Sequence, residues 1–186
     1  MFQKLQNIAS IQTGLYATPE PSGEVLYLQA KDINANGHIT DMVSPNLAFK
    51  PSMSRHLLEN GDILLMAKGI KNPAVVYKAD ISKAVASSTF IRLRVRSSEI
   101  LPQYLSWYLN CPIGQQYIKA SAMGTSIQSV SISGLENMEV SIPTMQVQEQ
   151  IIKIHTLRQQ VRIIMEKLEA LRDIEIQHTL IQASKR

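Results

Sequence analysis

"NMEVSIPTMQVQEQIIKI", residues 137–154, changes its rhythm halfway. Before Pro143, Met138, Val140 and Ile142 alternate with Glu139 and Ser141, the two-residue period of a half-buried strand. After it, Ile151, Ile154, Leu157, Val161, Ile164, Leu168 and Leu171 recur every three or four residues, the period of one helix face. The junction divides the chain into residues 1–145, a domain, and residues 146–186, one long helix. No Gly or Pro interrupts residues 146–181, and a helix of that length would span about 54 Å. Thr144 stands where an N-cap belongs, although Val147 supplies no capping-box partner.

The apolar positions Ile154, Leu157, Val161, Ile164, Leu168 and Leu171 step by 3, 4, 3, 4, 3, which is the a/d seam of a coiled coil. Beyond Leu171 the phase slips to Ile174, His178 and Ile181. A single helix packed along its own domain is the plainer arrangement, but a small domain offers too little surface to cover so long a stripe. A helical partner is therefore expected, either a second copy or another subunit.

Upstream, short strands and turns come first and helices follow. "EVLYLQAKDI" (24–33) reads as a strand between the turn-forming "TPEPSG" and "NANG". "ENGDILLMAKG" sets a turn at Asn60-Gly61, then a buried run from Ile63 to Met66, then Gly69. "AVVYKA" (74–79) and "STFIRLRVR" (88–96) read as further strands. Helices are expected over 101–109 and 113–121, separated at Asn110-Cys111-Pro112. Pro102 fits the first turn of the earlier one. "MGTSIQSVSIS" is a polar loop that leads into the strand before Pro143. The fold class is α+β: mixed small sheets followed by one long C-terminal helix of coiled-coil type.

Composition narrows the function classes. The chain has 186 residues, 45% hydrophobic, enough for one core, and a mean hydropathy of −0.05. No run of 18 apolar residues suggests a membrane span, and "MFQKLQNIAS" lacks the apolar core of a signal peptide. The single Cys111 makes neither an internal disulfide nor a cysteine-based zinc site, and fits a small hydrophobe in a reducing cytoplasm. Net charge is +4. Residues 61–145 carry 8 Lys/Arg against 5 Asp/Glu, the largest local surplus and the best place for a phosphate-facing surface.

The search for catalytic groups is negative. There is no Gly-rich phosphate loop, no G-x-S-x-G and no H-E-x-x-H. His38, His56, His155 and His178 are scattered, and Asp32, Asp62 and Asp80 each stand near a turn, where Asp commonly serves the backbone. Asn72-Pro73 begins as an amino-methyltransferase motif does, but "KNPAV" lacks the second proline and the aromatic residue. No enzyme, metal or cofactor is expected.

The order "LQNIASIQTGLYA", "YLQAKDINANGHI", "LENGDILLMAKGIKNPAVVY", "LPQYLSWYLNCPIGQQYI", "GTSIQSVSISGLENMEVSIP" and "EQIIKI" resembles a specificity subunit of type I restriction–modification systems over nearly the whole chain. Most specific is the junction itself, Ile142-Pro143 followed by Glu149-Gln150-Ile151, although Thr144, Met145 and Gln146 replace the further prolines usual there. The resemblance implies a target-recognition domain over 1–145 and a spacer helix over 146–186. It also implies a non-catalytic subunit that reads half of a bipartite DNA site and docks methyltransferase subunits, with an ATP-driven restriction subunit beyond them. With one domain and one helix, the chain is expected to be a half-subunit that pairs as an antiparallel homodimer along Ile154, Leu157, Val161, Ile164, Leu168 and Leu171. The target would then be an interrupted palindrome of double-stranded DNA.

Base edges take bidentate donors and acceptors, while Lys, Ser and Thr hold phosphates. Lys68, Lys71 and Asn72 are the candidates in "AKGIKNP", with Gly69 allowing close backbone approach. Thr125, Ser126 and Gln128 are the candidates in "GTSIQS"; Arg55 and Lys31 are weaker ones. Arg92, Arg94 and Arg96 share one strand face, which reads as ordinary wet sheet surface rather than a basic strip on DNA. The competing classes are a protein-interaction or regulatory module that no longer reads DNA, and a nuclease built from scattered carboxylates.

Overall fold

The computed structural model describes residues 1–33, 39, 44–69, 72–78, 83–123 and 129–184, although of Ala122 and Met123 only the backbone. Two compact units emerge, Met1–Glu149 and Gln150–Arg186.

In the first unit the chain forms β1 (Phe2–Lys4), α1 (Leu5–Ile8) and β2 (Ala9–Thr13), then β3 (Val25–Leu28), β4 (Ile63–Met66), β5 (Ala74–Val76), β6 (Lys83–Ala86) and β7 (Phe90–Val95). Helices α2 (Pro102–Asn110) and α3 (Pro112–Ala120) follow, then β8 (Ala122–Met123), β9 (Ser129–Val130), α4 (Ile132–Glu136) and β10 (Glu139–Ser141). Helix α5 (Met145–Ser184) starts in the first unit and forms the second. The architecture is α+β, with small sheets and a long C-terminal helix.

Four strands make the main sheet in the order β2-β7-β4-β5, all neighbours antiparallel. Register places Ile63 opposite Leu93 and Leu65 opposite Ile91, so these four buried side chains share one face. Leu64 lies opposite Arg92 and Met66 opposite Phe90 on the other face. Leu64 and Phe90 pack there with Leu28, Leu58, Val75, Tyr77, Ala84 and Ala86, which brings the parallel pair β3–β6 onto the sheet. Both faces of β4 and β7 are thus covered, and the Ile63–Met66 run reads as continuous apolar sequence for that reason.

Several sequence expectations change in detail: the strand expected over 74–79 spans Ala74–Val76, and the stretch expected as a polar loop holds β9 and the start of α4. The strand expected over 24–33 stops at Leu28, because the Asp32 carboxylate accepts the Gln29 N–H at 2.8 Å and turns residues Ala30–Asp32 into a 3₁₀ turn. The strand expected over 88–96 holds, trimmed to Phe90–Val95. The two helices fall where the break at Cys111 puts them. Strands β1, β2 and β6 lie in stretches that the sequence left unassigned.

The domain closes by long-range pairing. β1 runs antiparallel to β10, Gln3 opposite Val140, and the Leu5 N–H donates to the Met138 carbonyl at 2.8 Å. On α5, the Thr144 carbonyl accepts the Gln148 N–H at 3.0 Å, so Thr144 ends the preceding segment and the helix begins at Met145.

Candidate functional site

The β4–β5 connection is a shaped loop. The Met66 N–H donates to the Pro73 carbonyl at 2.9 Å and closes it, and Gly69 takes φ +115°, a conformation that side chains with a Cβ rarely adopt. Asn72 is turned inward at 4% exposure, its Nδ2 donating to the Met66 carbonyl at 2.9 Å. Its own carbonyl accepts from Gln115 Nε2, also at 2.9 Å. Asn72 therefore shapes the loop from within, while Lys68 and Gly69 are exposed on it. Lys71 lies outside the described residues.

The second stretch singled out from sequence begins at Gly124, and Thr125, Ser126 and Gln128 also lie outside the described residues. Its exit is anchored beside the first loop. Lys68 pairs with Ser129 in an antiparallel bridge, and the Val130 N–H donates to the Ala67 carbonyl at 2.9 Å. Two segments about sixty residues apart in sequence thus share a backbone contact at Lys68.

The arginines of β7 overturn the reading of a wet sheet surface. Arg92 is 8% exposed. Its Nη2 donates to Gln12 Oε1 at 2.6 Å and its Nη1 to the Arg55 carbonyl at 3.4 Å. Arg94 grips Asp62 with both Nε and Nη2 at 2.7 Å, and also bonds Glu59 and the Leu57 carbonyl. Asp62, 1% exposed, in turn accepts the Glu59 N–H at 2.8 Å. The cause is the stretch from the 3₁₀ turn Pro51–His56 to Asp62, which supplies every one of these partners but Gln12 of β2 and covers this face of β7. The hydrogen bond to Asp62 leads in raising the Arg94 pKa, whereas burial, then Arg94, lowers that of Arg92. Only Arg96 of the three is exposed.

His56 closes this group. Its Nδ1 lies 3.3 Å from Gln12 Nε2 and its Nε2 lies 3.2 Å from Arg55 Nε. Sequence inspection had no means of finding Gln12: its partner Arg92 lies 80 residues away, and only the β2–β7 register brings them opposite.

In the second unit the seam positions are uncovered. Ile154 is 60% exposed, Leu157 50%, Val161 59%, Ile164 61%, Leu168 39% and Leu171 68%. Arg162 and Glu166 form an i,i+4 pair at 3.8 Å, itself exposed and of small energetic weight.

Among the described residues, no three His, Cys, Asp or Glu side chains gather as a metal site, and no helix is long and apolar enough to cross a membrane. A cleft of about 360 Å³ lies against Gln3, Glu99, Pro143 and Met145, and its polar members bond each other, Gln3 Nε2 donating to Glu99 Oε2 at 3.0 Å.

The model of the family described as "Type I restriction modification DNA specificity domain" matches residues 3–179. Comparison with curated proteins finds no match. Among solved structures, the chain is similar to the S subunit of a type I restriction–modification system from M. genitalium, with 15% identity, a TM-score of 0.60, and coverage of 84% of this chain and 38% of that one. It is similar to the HsdS subunit from Thermoanaerobacter tengcongensis, with 18% identity, a TM-score of 0.64, and coverage of 88% and 43%. A third similar chain belongs to a structure describing complex assembly and conformational transition of the type I system, with 16% identity, a TM-score of 0.62, and coverage of 88% and 39%. At these identities the likeness is one of fold. The chain spans about two fifths of the length of the solved chains it matches.

Proposed function

The chain belongs to the type I restriction–modification DNA specificity family, and from that premise we propose that it is a non-catalytic subunit that reads one DNA half-site. On this reading residues 1–145 are the target-recognition domain, and residues 146–186 are the helix that spaces it from a second one. Two copies pair antiparallel through Ile154, Leu157, Val161, Ile164, Leu168 and Leu171, and the same helices dock the methyltransferase. Adenosylmethionine, ATP and bond cleavage belong to partner chains, and the assembly works in the cytoplasm.

The observation that carries this reading is the uncovered seam. Six apolar side chains at heptad spacing are 39–68% exposed in the single chain. Burying each against a partner would contribute roughly 1–2 kcal/mol, about 25 cal/mol per Å² of apolar surface removed from water. A DNA-reading surface is supported by the Lys68–Ser129 bridge, which gathers the first loop and the exit of the second. Lys68, Gly69 and Lys71 with Thr125, Ser126 and Gln128 are the contacts we assign to it, and Asn72 holds the loop in shape.

Selection from a randomised duplex pool tests both halves of this reading. Two inverted half-sites with a fixed gap are the expected outcome. A single half-site would keep the reading role and remove the antiparallel dimer. If neither the chain alone nor the chain with its methyltransferase enriches any motif, the protein-interaction reading replaces this one. Lys68→Ala with Lys71→Ala should lower the salt slope of binding by roughly one for each phosphate that is no longer neutralised.

A further inference from the structure

Between β2, β7 and the Pro51–His56 turn, four side chains form a row with a donor at each end. Arg92 Nη2 donates to Gln12 Oε1, Gln12 Nε2 meets His56 Nδ1, and His56 Nε2 meets Arg55 Nε. A guanidinium only donates, whereas a carboxamide and a neutral imidazole each present one donor and one acceptor. The three contacts therefore hold four donors and two acceptors, and one contact must set donor against donor. Turning the Gln12 amide over, or moving the imidazole proton to the other nitrogen, relocates the mismatch without removing it. Protonating His56 adds a second.

No carboxylate belongs to the row, and Asp62 and Glu59 act on Arg92 only through space. Arg92 is buried, its Nε has no hydrogen-bond partner, and among the described residues it makes no salt bridge. The nearby carboxylates, Asp62 and Glu59, are both engaged by Arg94. The charged groups facing His56 are Arg55 on its own segment and Arg92 from β7, both cationic, and Gln12 from β2 is uncharged. Burial, then Arg55 and Arg92, holds the His56 imidazole below its ordinary value of 6.5.

An oxygen that only accepts removes the donor mismatch, and its charge offsets the two cations of the row. It could enter at the Arg55–His56 contact, which is open to solvent, and take hydrogen bonds from both sides. Phosphate oxygens have this chemistry. We propose that Arg55, His56, Gln12 and Arg92 form a phosphate site whose occupant is a backbone phosphate of the DNA duplex. The site rests on the DNA-reading function above but shares no residue with the Lys68 loop, and it gives the domain a second, sequence-independent hold on the duplex.

The test follows the His56 ring by nitrogen-detected NMR in the full chain, with His56→Gln to assign the signal. The titration midpoint is measured alone, with inorganic phosphate, and with a DNA duplex. Phosphate and duplex should each raise the midpoint, and Arg55→Ala should diminish both shifts. The same variant should weaken duplex binding roughly threefold to tenfold at physiological salt and reduce the salt slope by about 0.9. Arg55 is exposed, so this variant leaves the core intact. A duplex that binds the chain yet leaves the midpoint unmoved overturns the site. A midpoint raised by phosphate in a chain that binds no duplex, with or without its methyltransferase, refutes the DNA occupant and the DNA-reading function, and leaves an anion site. If neither probe moves it, the site is refuted whatever the chain does with DNA.

Discussion

Gln148 reaches across 49 residues of sequence to Glu99, its Nε2 donating to the Glu99 carbonyl at 2.7 Å. The same amide donates to the Pro143 carbonyl at 2.9 Å, and its Oε1 accepts the Leu101 N–H at 2.9 Å. Gln148 has no exposed surface. One side chain in the first turn of α5 therefore holds the segment before α2 against the proline between β10 and α5. Gln148→Leu should cost about 2–4 kcal/mol, because it strands one backbone donor and two acceptors that water reaches poorly. Urea unfolding of the full chain measures this; a loss below about 0.5 kcal/mol, the range of a surface substitution, would mean that the junction does not depend on the amide.

The Arg94–Asp62 pair is bidentate and one-sided in burial, since the Asp62 side chain is fully covered and that of Arg94 is 27% exposed. Removing Arg94 alone leaves a buried carboxylate, so Arg94→Leu should destabilise the domain by about 3–5 kcal/mol. The double variant Arg94→Leu with Asp62→Leu should recover a good part of that loss. A double-mutant cycle in urea checks it, and strict additivity of the two single losses would count against the pairing.

Tyr104 donates its hydroxyl to the Ser141 carbonyl at 2.8 Å, and burial, then Tyr108 and Cys111, pushes its pKa from 10.0 up to about 12. The folded-state value is raised above the unfolded one. The contribution to stability is therefore fully present below pH 10.0 and is lost as the pH rises through about 12. Ultraviolet titration should find one tyrosine ionising late, and Tyr104→Phe should remove that step. The same substitution should cost about 0.5–1.5 kcal/mol for the lost hydrogen bond.

His56 gives the opposite pH dependence. Its folded-state value lies below the ordinary 6.5, so the unfolded chain takes up the proton first. The stability it contributes is complete above pH 6.5 and declines as the pH falls through and below that value. His56→Gln should flatten this part of the stability profile, measured by denaturant midpoints between neutral and mildly acidic pH. A profile of unchanged slope would assign the acid sensitivity to other groups.

Val161→Asp and Ile164→Asp place charges at the middle of the proposed seam, at positions 59% and 61% exposed in the single chain. Neither should lower the unfolding free energy of the domain, since neither lies in its core. Both should convert a dimer to monomer in sedimentation equilibrium, weakening association by more than tenfold, about 1.4 kcal/mol or more. A wild-type chain that sediments as a monomer at every concentration would remove the antiparallel pair.

The parts of the fold legible in sequence are those with local signals. The 3-4 spacing from Ile154 to Leu171 marks the helix, the proline at Pro143 marks its entry, and the unbroken Ile63–Met66 run marks a strand buried on both faces. What was not legible is set by pairing over long distances. Arg92, Arg94 and Arg96 alternate as exposed strand residues do, and nothing nearby reveals that Gln12, Asp62 and Glu59 come to meet the first two. Asn72 shows the same limit: its residue type suits base reading, and only the 2.9 Å bond to the Met66 carbonyl shows it at work inside the loop.

The antiparallel pairing of β1 with β10 has a practical meaning for the rest of the domain. Lys4 lies opposite Glu139, so the polypeptide enters and leaves through adjacent strands of one small ribbon. Everything from α1 to α4 is an excursion that returns to its point of departure. A replacement that keeps the backbone at Glu99 and Leu101, where Gln148 is held, leaves the ribbon, Pro143 and the α5 entry where they are. If the domain reads DNA as proposed, that excursion is a replaceable cassette on a fixed mount, and grafting residues 5–138 between related chains that keep these contacts should transfer preference for one sequence without redesign of the helix.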